Sequence, residues 1–108
     1  MDVSAIYSLL TSSSNIPVAH NIFKSPQNPP YLIYRNDSFE NIAANGKTVL
    51  KKQRITIELY APTTQVNNCE RAVEDILDSF TTYTKERAFD DAQGLYITYY
   101  SFYEVITT

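Results

Sequence analysis

The chain has one cysteine, one histidine, two glycines and no tryptophan among its 108 residues. Each scarcity removes a class of protein. The single cysteine, Cys69, excludes an internal disulfide and a cysteine-rich zinc site, and reads as a small, partly buried helix residue. Two glycines leave little room for a glycine-built phosphate loop, and no P-loop or dinucleotide fingerprint is present. The lone histidine, His20, has no carboxylate or cysteine at ligand spacing and reads as a loop residue. The serines at 12–14 lack the G-x-S-x-G surroundings of a nucleophile elbow. Basic excess is missing too. The net charge is −3, whereas a general nucleic-acid binder displaces counterions with a basic patch.

No apolar run approaches the roughly 20 residues that cross a bilayer. The N-terminal MDVSAIYSLL opens on an acid, unlike a signal peptide, so the chain is expected in the cytoplasm or assembled there. The remaining composition, 44% hydrophobic and 19% charged, suits one globular domain spanning residues 1–108.

What is abundant is tyrosine, nine in all. The stretch LYITYYSFYEVIT at 95–107 is apolar on both parities, whereas a strand with one wet face alternates. Around it the pattern predicts a short helix over 2–12, capped by Asp2 and carrying Val3, Ile6, Tyr7 and Leu10 at helical spacing. An extended, proline-rich connection follows over 13–30. YLIY at 31–34 reads as a strand, and 35–47 as a loop or the far end of a hairpin turning at Asn45–Gly46. The return strand over 48–60 places Ile55, Ile57 and Leu59 on one side and Thr56, Glu58 and Tyr60 on the other. A second helix over 68–80 has a capping-box pattern at Asn67 and Glu70. Its apolar stripe is Ala72, Val73, Ile76, Leu77 and Phe80, and its wet face is Glu70, Glu74, Asp75 and Asp78. An edge strand over 83–91 and the aromatic strand complete the chain.

The expected fold is α+β: a four-stranded, mainly antiparallel sheet with two helices packed on one face and a long hairpin arm. Two short helices cover one sheet face, so the other is left over. Tyr96, Tyr100, Phe102 and Ile106 share one parity of the last strand and are read as a subunit-contact patch. The competing reading has Ile16, Val18 and Phe23 of the connection fold over that face. The basic group Lys47, Lys51, Lys52 and Arg54 lies on the arm after Asn45 and Gly46. It either blunts an exposed strand edge or touches an acidic partner or passing DNA. Asp90 and Asp91 are adjacent and do not converge, and no catalytic constellation, metal site or cofactor site is expected.

Residues 16–106 also carry a recognisable string: I-P-V-A, P-P-Y-L-I-Y, S-F-E-N-I-A-A-N-G and I-T-I-E-L-Y-A-P, then E-R-A-V-E-D-I-L and K-E-R-A-F before the aromatic strand. This resembles the tail-completion, tail-terminator or tail-to-head joining proteins of long-tailed phages and prophages of Gram-positive bacteria. The resemblance implies a virion protein without catalysis or cofactor, forming a hexameric ring, with the isolated chain possible as a monomer. The ring caps the tail tube and offers a surface to the head connector or head-closure protein, while DNA crosses the lumen without specific binding. It also implies that the arm faces the lumen or the tail tube. Two other functions fit the same residues: a head-closure or minor capsid protein, and, in a different class, a small α+β ligand-binding domain.

Overall fold

The computed structural model describes residues 3–106, the side chains of residues 3, 4, 37, 49 and 106 excepted. Helix α1 (Val3–Ser14) is followed by β1 (Val18–His20), β2 (Tyr31–Ala44), β3 (Lys47–Pro62), α2 (Val66–Asp78), β4 (Thr84–Asp90) and β5 (Leu95–Ile106). The class is α+β with two helices, and the sheet is mixed and five-stranded, in the order β1-β2-β3-β5-β4. The four expected strands pair antiparallel, but β1 adds a fifth, parallel to β2. It forms inside the stretch expected to be an extended connection. Leu32 N donates to Pro17 O at 2.8 Å and Asn21 N to Tyr34 O at 3.0 Å. Asn15 (φ 58°) and Asn21 (φ 67°) bracket it in left-handed conformations that asparagine tolerates. Three residues are too few to reveal a strand period.

Helix α1 runs through the serines expected to end it, and the turn comes at Asn15. Ser12 Oγ bonds back to Ser8 O at 2.7 Å, so these hydroxyls stay within the helix. The Asp2 cap lies outside the described residues. Helix α2 starts at Val66, with Gln65 as N-cap and no side-chain cap bond, so the Asn67–Glu70 capping box does not form. Val66 is buried, and seating it in the core outweighs one capping bond.

The turn at Asn45 (φ 54°) and Gly46 (φ 76°) has both residues at positive φ, the two-residue turn that matches strand twist. Residues 35–44 are strand, not loop. Register shifts between Arg35 and Ser38, and between Ile42 and Ala43, break the alternation that would have announced it. The paired arm draws the molecule out to 52 × 28 × 27 Å.

Both helices pack on one face. Ile6 and Leu10 of α1 and Val73 and Leu77 of α2 meet Ile55, Ile57 and Leu59 of β3 and Leu32 and Tyr34 of β2 in one buried core. Register then fixes β5. Phe102 pairs with Ile55, Tyr100 with Ile57, Thr98 with Leu59 and Tyr96 with Ala61, so this parity faces the helices. Tyr100 is 0% exposed and Phe102 3%. The assignment of Tyr96, Tyr100 and Phe102 to a subunit contact is therefore corrected: they belong to the core and its margin, and the side chain of Ile106 lies outside the description. A strand apolar on both parities does not say which side its own helices take.

The bare face carries Tyr31, Ile33, Tyr60, Ile97, Tyr99, Ser101 and Tyr103. The connection covers only one corner of it. Phe23 meets Tyr31 edge-on at 5.6 Å, while Ile16 and Val18 lie in the helix-side core instead.

Candidate interaction surface

Two polar systems flank the core, on opposite sheet faces. On the helix side, Glu70, Glu74 and Asp78 recur one turn apart along α2 and face β4 and β5. Lys85 and Arg87 reach them from β4. Arg87 Nε donates to Glu70 Oε2 at 2.9 Å, and a second guanidinium nitrogen donates to Oε1. Thr98 Oγ1 donates to Glu70 Oε2 at 2.6 Å. Lys85 Nζ lies 3.1 Å from Glu70 and 2.9 Å from Glu74. Tyr100 OH donates to Glu74 at 2.8 Å, and Tyr83 OH to Asp78 at 2.9 Å. Of the acids expected on a wet face, Glu70 is buried against the sheet and Glu74 half-buried beside it, while Asp75 and Asp78 are exposed as expected, Asp78 meeting Tyr83 at the surface.

Electrostatics follow from that placement. Burial disfavours the Glu70 carboxylate, but hydrogen bonds from Arg87, Thr98 and Lys85 outweigh it and hold its pKa at about 2. Burial and the bond to Glu74 push the Tyr100 hydroxyl far above its ordinary value. Burial and Asp78 push Tyr83 up to about 12. These groups keep one protonation state across ordinary pH.

On the bare face, Glu58 is the hub. Arg35 Nε donates to it at 2.8 Å and Tyr60 OH at 2.7 Å. Tyr31 stacks on Tyr60 at 4.7 Å, and the Thr56 and Ser101 hydroxyls meet at 3.2 Å. The face is a pavement of tyrosine rings with its central charge paired within the sheet. Beside it runs a groove of about 590 Å³, lined among others by Arg54, Tyr83, Glu86, Tyr99, Phe102 and Tyr103.

The arm carries the predicted basic group. Asn45, Gly46 and Lys47 form its tip. Lys52 and Arg54 share the bare-face parity, as alternation predicts, and Lys51 takes the opposite one. Lys52 is engaged, 3.6 Å from Glu40 and 5.0 Å from the Tyr103 ring centroid. Arg54 borders the groove. Exposed apolar side chains sit among these charges: Phe39 at 65%, Tyr103 at 54% and Val105 at 55%. The sequence reading missed this set because it placed Phe39 in a possible loop and assigned β5 to the wrong side.

His20 lies in β1, stacked on Tyr34 at 4.6 Å with Nε2 2.7 Å from Asn36 Oδ1. Asp90 accepts the amides of Ala92 and Gln93, which ties it to a turn. Cys69 is a buried helix residue whose thiol burial pushes up. Among the described residues, no three His, Cys, Asp or Glu side chains gather as a metal site, and no helix is long and apolar enough to cross a membrane. No protein-family model matches the chain, and no curated protein matches it in sequence.

Proposed function

We propose that this chain is a structural subunit of the head–tail junction of a long-tailed phage or prophage, a tail terminator that caps the tail tube as a hexameric ring and joins it to the head connector. The observation that carries the reading is the division of labour in the sheet. One face buries a complete core under two helices, while the other face carries half-buried Tyr31, Tyr60 and Tyr99 with no helix over them, and the projecting arm leaves Phe39, Tyr103 and Val105 exposed. A ring subunit needs two different contact surfaces, one for each neighbour. Tyrosine suits such surfaces because it buries area and keeps a hydroxyl for a partner. The basic group Lys47, Lys51, Lys52 and Arg54 along β3 suits an arm facing the lumen or the tail tube, where DNA passes without being held. The sequence resemblance supports the same role and supplies the ring size.

The test is deletion of the gene from the phage that encodes it. Overlong tail tubes that fail to join filled heads are expected. Tails of normal length that cannot join heads would favour the head-closure role. Normal, infectious particles would overturn both.

A further inference from the structure

Asn45 and Gly46 are the two central residues of the turn between β2 and β3, flanked by the paired Ala44 and Lys47, and all four are exposed. In a two-residue turn the ladder bonds belong to the flanking pair, so the amide of the second central residue is left to water. Gly46 follows that rule. Among the described residues no hydrogen bond holds its N–H or the Asn45 side chain. With no Cβ on Gly46, and nothing within 4 Å of the place a Cβ would take, its nitrogen is open to approach. A ring closed between that nitrogen and Asn45 Cγ is five-membered and unstrained.

The other asparagines lack one of these conditions. Asn15, Asn21 and Asn41 precede isoleucines, whose branched side chains crowd the following amide. Asn28 precedes Pro29, which has no N–H. Asn67 and Asn68 lie in α2, whose backbone a ring closure would break, and Cys69 N donates to Gln65 O at 3.0 Å. Asn36 is held by its own side chain, with Oδ1 2.7 Å from His20 Nε2.

We propose that Asn45 is a site of spontaneous deamidation and that the reaction unlocks the turn of the arm. The Gly46 N–H gives its proton to solvent base, and the nitrogen attacks Asn45 Cγ. The N–Cγ bond forms, the Cγ–Nδ2 bond breaks, and Nδ2 leaves as ammonia. Water then opens the cyclic imide. Attack at Cγ leaves aspartate, and attack at the backbone carbonyl carbon leaves isoaspartate. Water is the only reagent consumed, and nothing is oxidised or reduced. The closed turn holds Asn45 at φ 54°, so the reaction draws on openings of the tip. Those openings are cheap, because the pairs Ala43–Thr48 and Ala44–Lys47 are exposed and lie beyond the end of β5. Isoaspartate adds a backbone carbon where the turn needs a left-handed residue, and either product sets a carboxylate beside Lys47.

The test ages the full chain in mildly alkaline buffer and digests it with trypsin. Cleavage after Arg35 and Lys47 releases 36–47, which holds Asn36, Asn41 and Asn45 together. A mass gain of about 1 Da, from NH2 replaced by OH, is expected to build up at Asn45 severalfold faster than at the other two. Isoaspartate in excess of aspartate marks passage through the imide. Gly46→Ala is expected to slow the gain severalfold, because a Cβ crowds the nitrogen, whereas loosening the turn alone would speed it. Hydrogen exchange at 40–50 should quicken in the aged chain while Ile57 and Leu77 keep their protection. Gain at Asn36 or Asn41 ahead of Asn45 would overturn the site, as would an unmodified chain under conditions where the isolated 36–47 peptide reacts. Modified chains with unchanged exchange at 40–50 would overturn the unlocking.

Discussion

The Arg87 guanidinium grips the Glu70 carboxylate with two nitrogens, binding the edge strand β4 to helix α2. Side-chain exposure is 5% for Glu70 and 37% for Arg87, so the pair is buried at the acid and wet at the base. Removing the acid leaves Arg87 and Lys85 without their shared partner; removing Arg87 leaves a buried carboxylate still held by Thr98 and Lys85. Glu70→Ala is therefore expected to destabilise by about 2–4 kcal/mol and Arg87→Ala by less, read from urea midpoints.

The same carboxylate sets an acid limit. When folded, Glu70 takes a proton only near pH 2; its ordinary value is 4.5. The unfolded chain thus binds that proton first as pH falls. The stabilisation is complete above about pH 4.5 and is lost between 4.5 and 2, to a total of roughly 2–3 kcal/mol. Urea unfolding at pH 6, 4 and 3 should trace this loss, and Glu70→Gln should flatten it. An unchanged pH profile in the variant would show that other carboxylates govern acid unfolding.

Tyr100 carries the most consequential correction. It is fully buried, with its hydroxyl on Glu74 and its ring edge-on to Tyr83 at 5.6 Å. Tyr100→Glu would place a carboxylate in the core beside two others, at a cost comparable to the ~5–15 kcal/mol stability of a domain, and is expected to unfold the chain. Tyr100→Phe loses only the hydroxyl bond and should cost about 1–2 kcal/mol, with the fold retained by circular dichroism. A folded, merely dissociated Tyr100→Glu chain would restore the surface assignment.

These particulars show what was legible in the sequence. Asn45–Gly46 announced its turn because few residue pairs accept positive φ twice. Ile55, Ile57 and Leu59 announced the core face of β3 by clean alternation against Thr56 and Glu58. The side taken by β5 was illegible, since Tyr99 and Tyr100 are equally apolar and only pairing with β3 separates them. The α2 acids misled for a related reason. Charge on a helix face reads as solvated until a basic strand such as β4 is placed opposite, and Lys85 and Arg87 are distant in sequence from Glu70. In the arm, two register shifts hid a strand that has no core to pack against.

The turn can be used to isolate the arm from the body. Gly46 sits at φ 76° with open space around it, so a side chain there meets no atom but strains the backbone. Gly46→Val is expected to cost about 1–2 kcal/mol, and β-branching makes that conformation especially unfavourable. The cost should fall on the arm, whose outer pairs Ile42–Leu50 and Ala44–Lys47 lie beyond the end of β5. Hydrogen exchange should therefore quicken at 40–50 while Ile57, Val73 and Leu77 keep their protection. If the whole sheet loosened together, the arm would be part of one cooperative unit with the core, and a change at exposed Phe39 would then alter global stability.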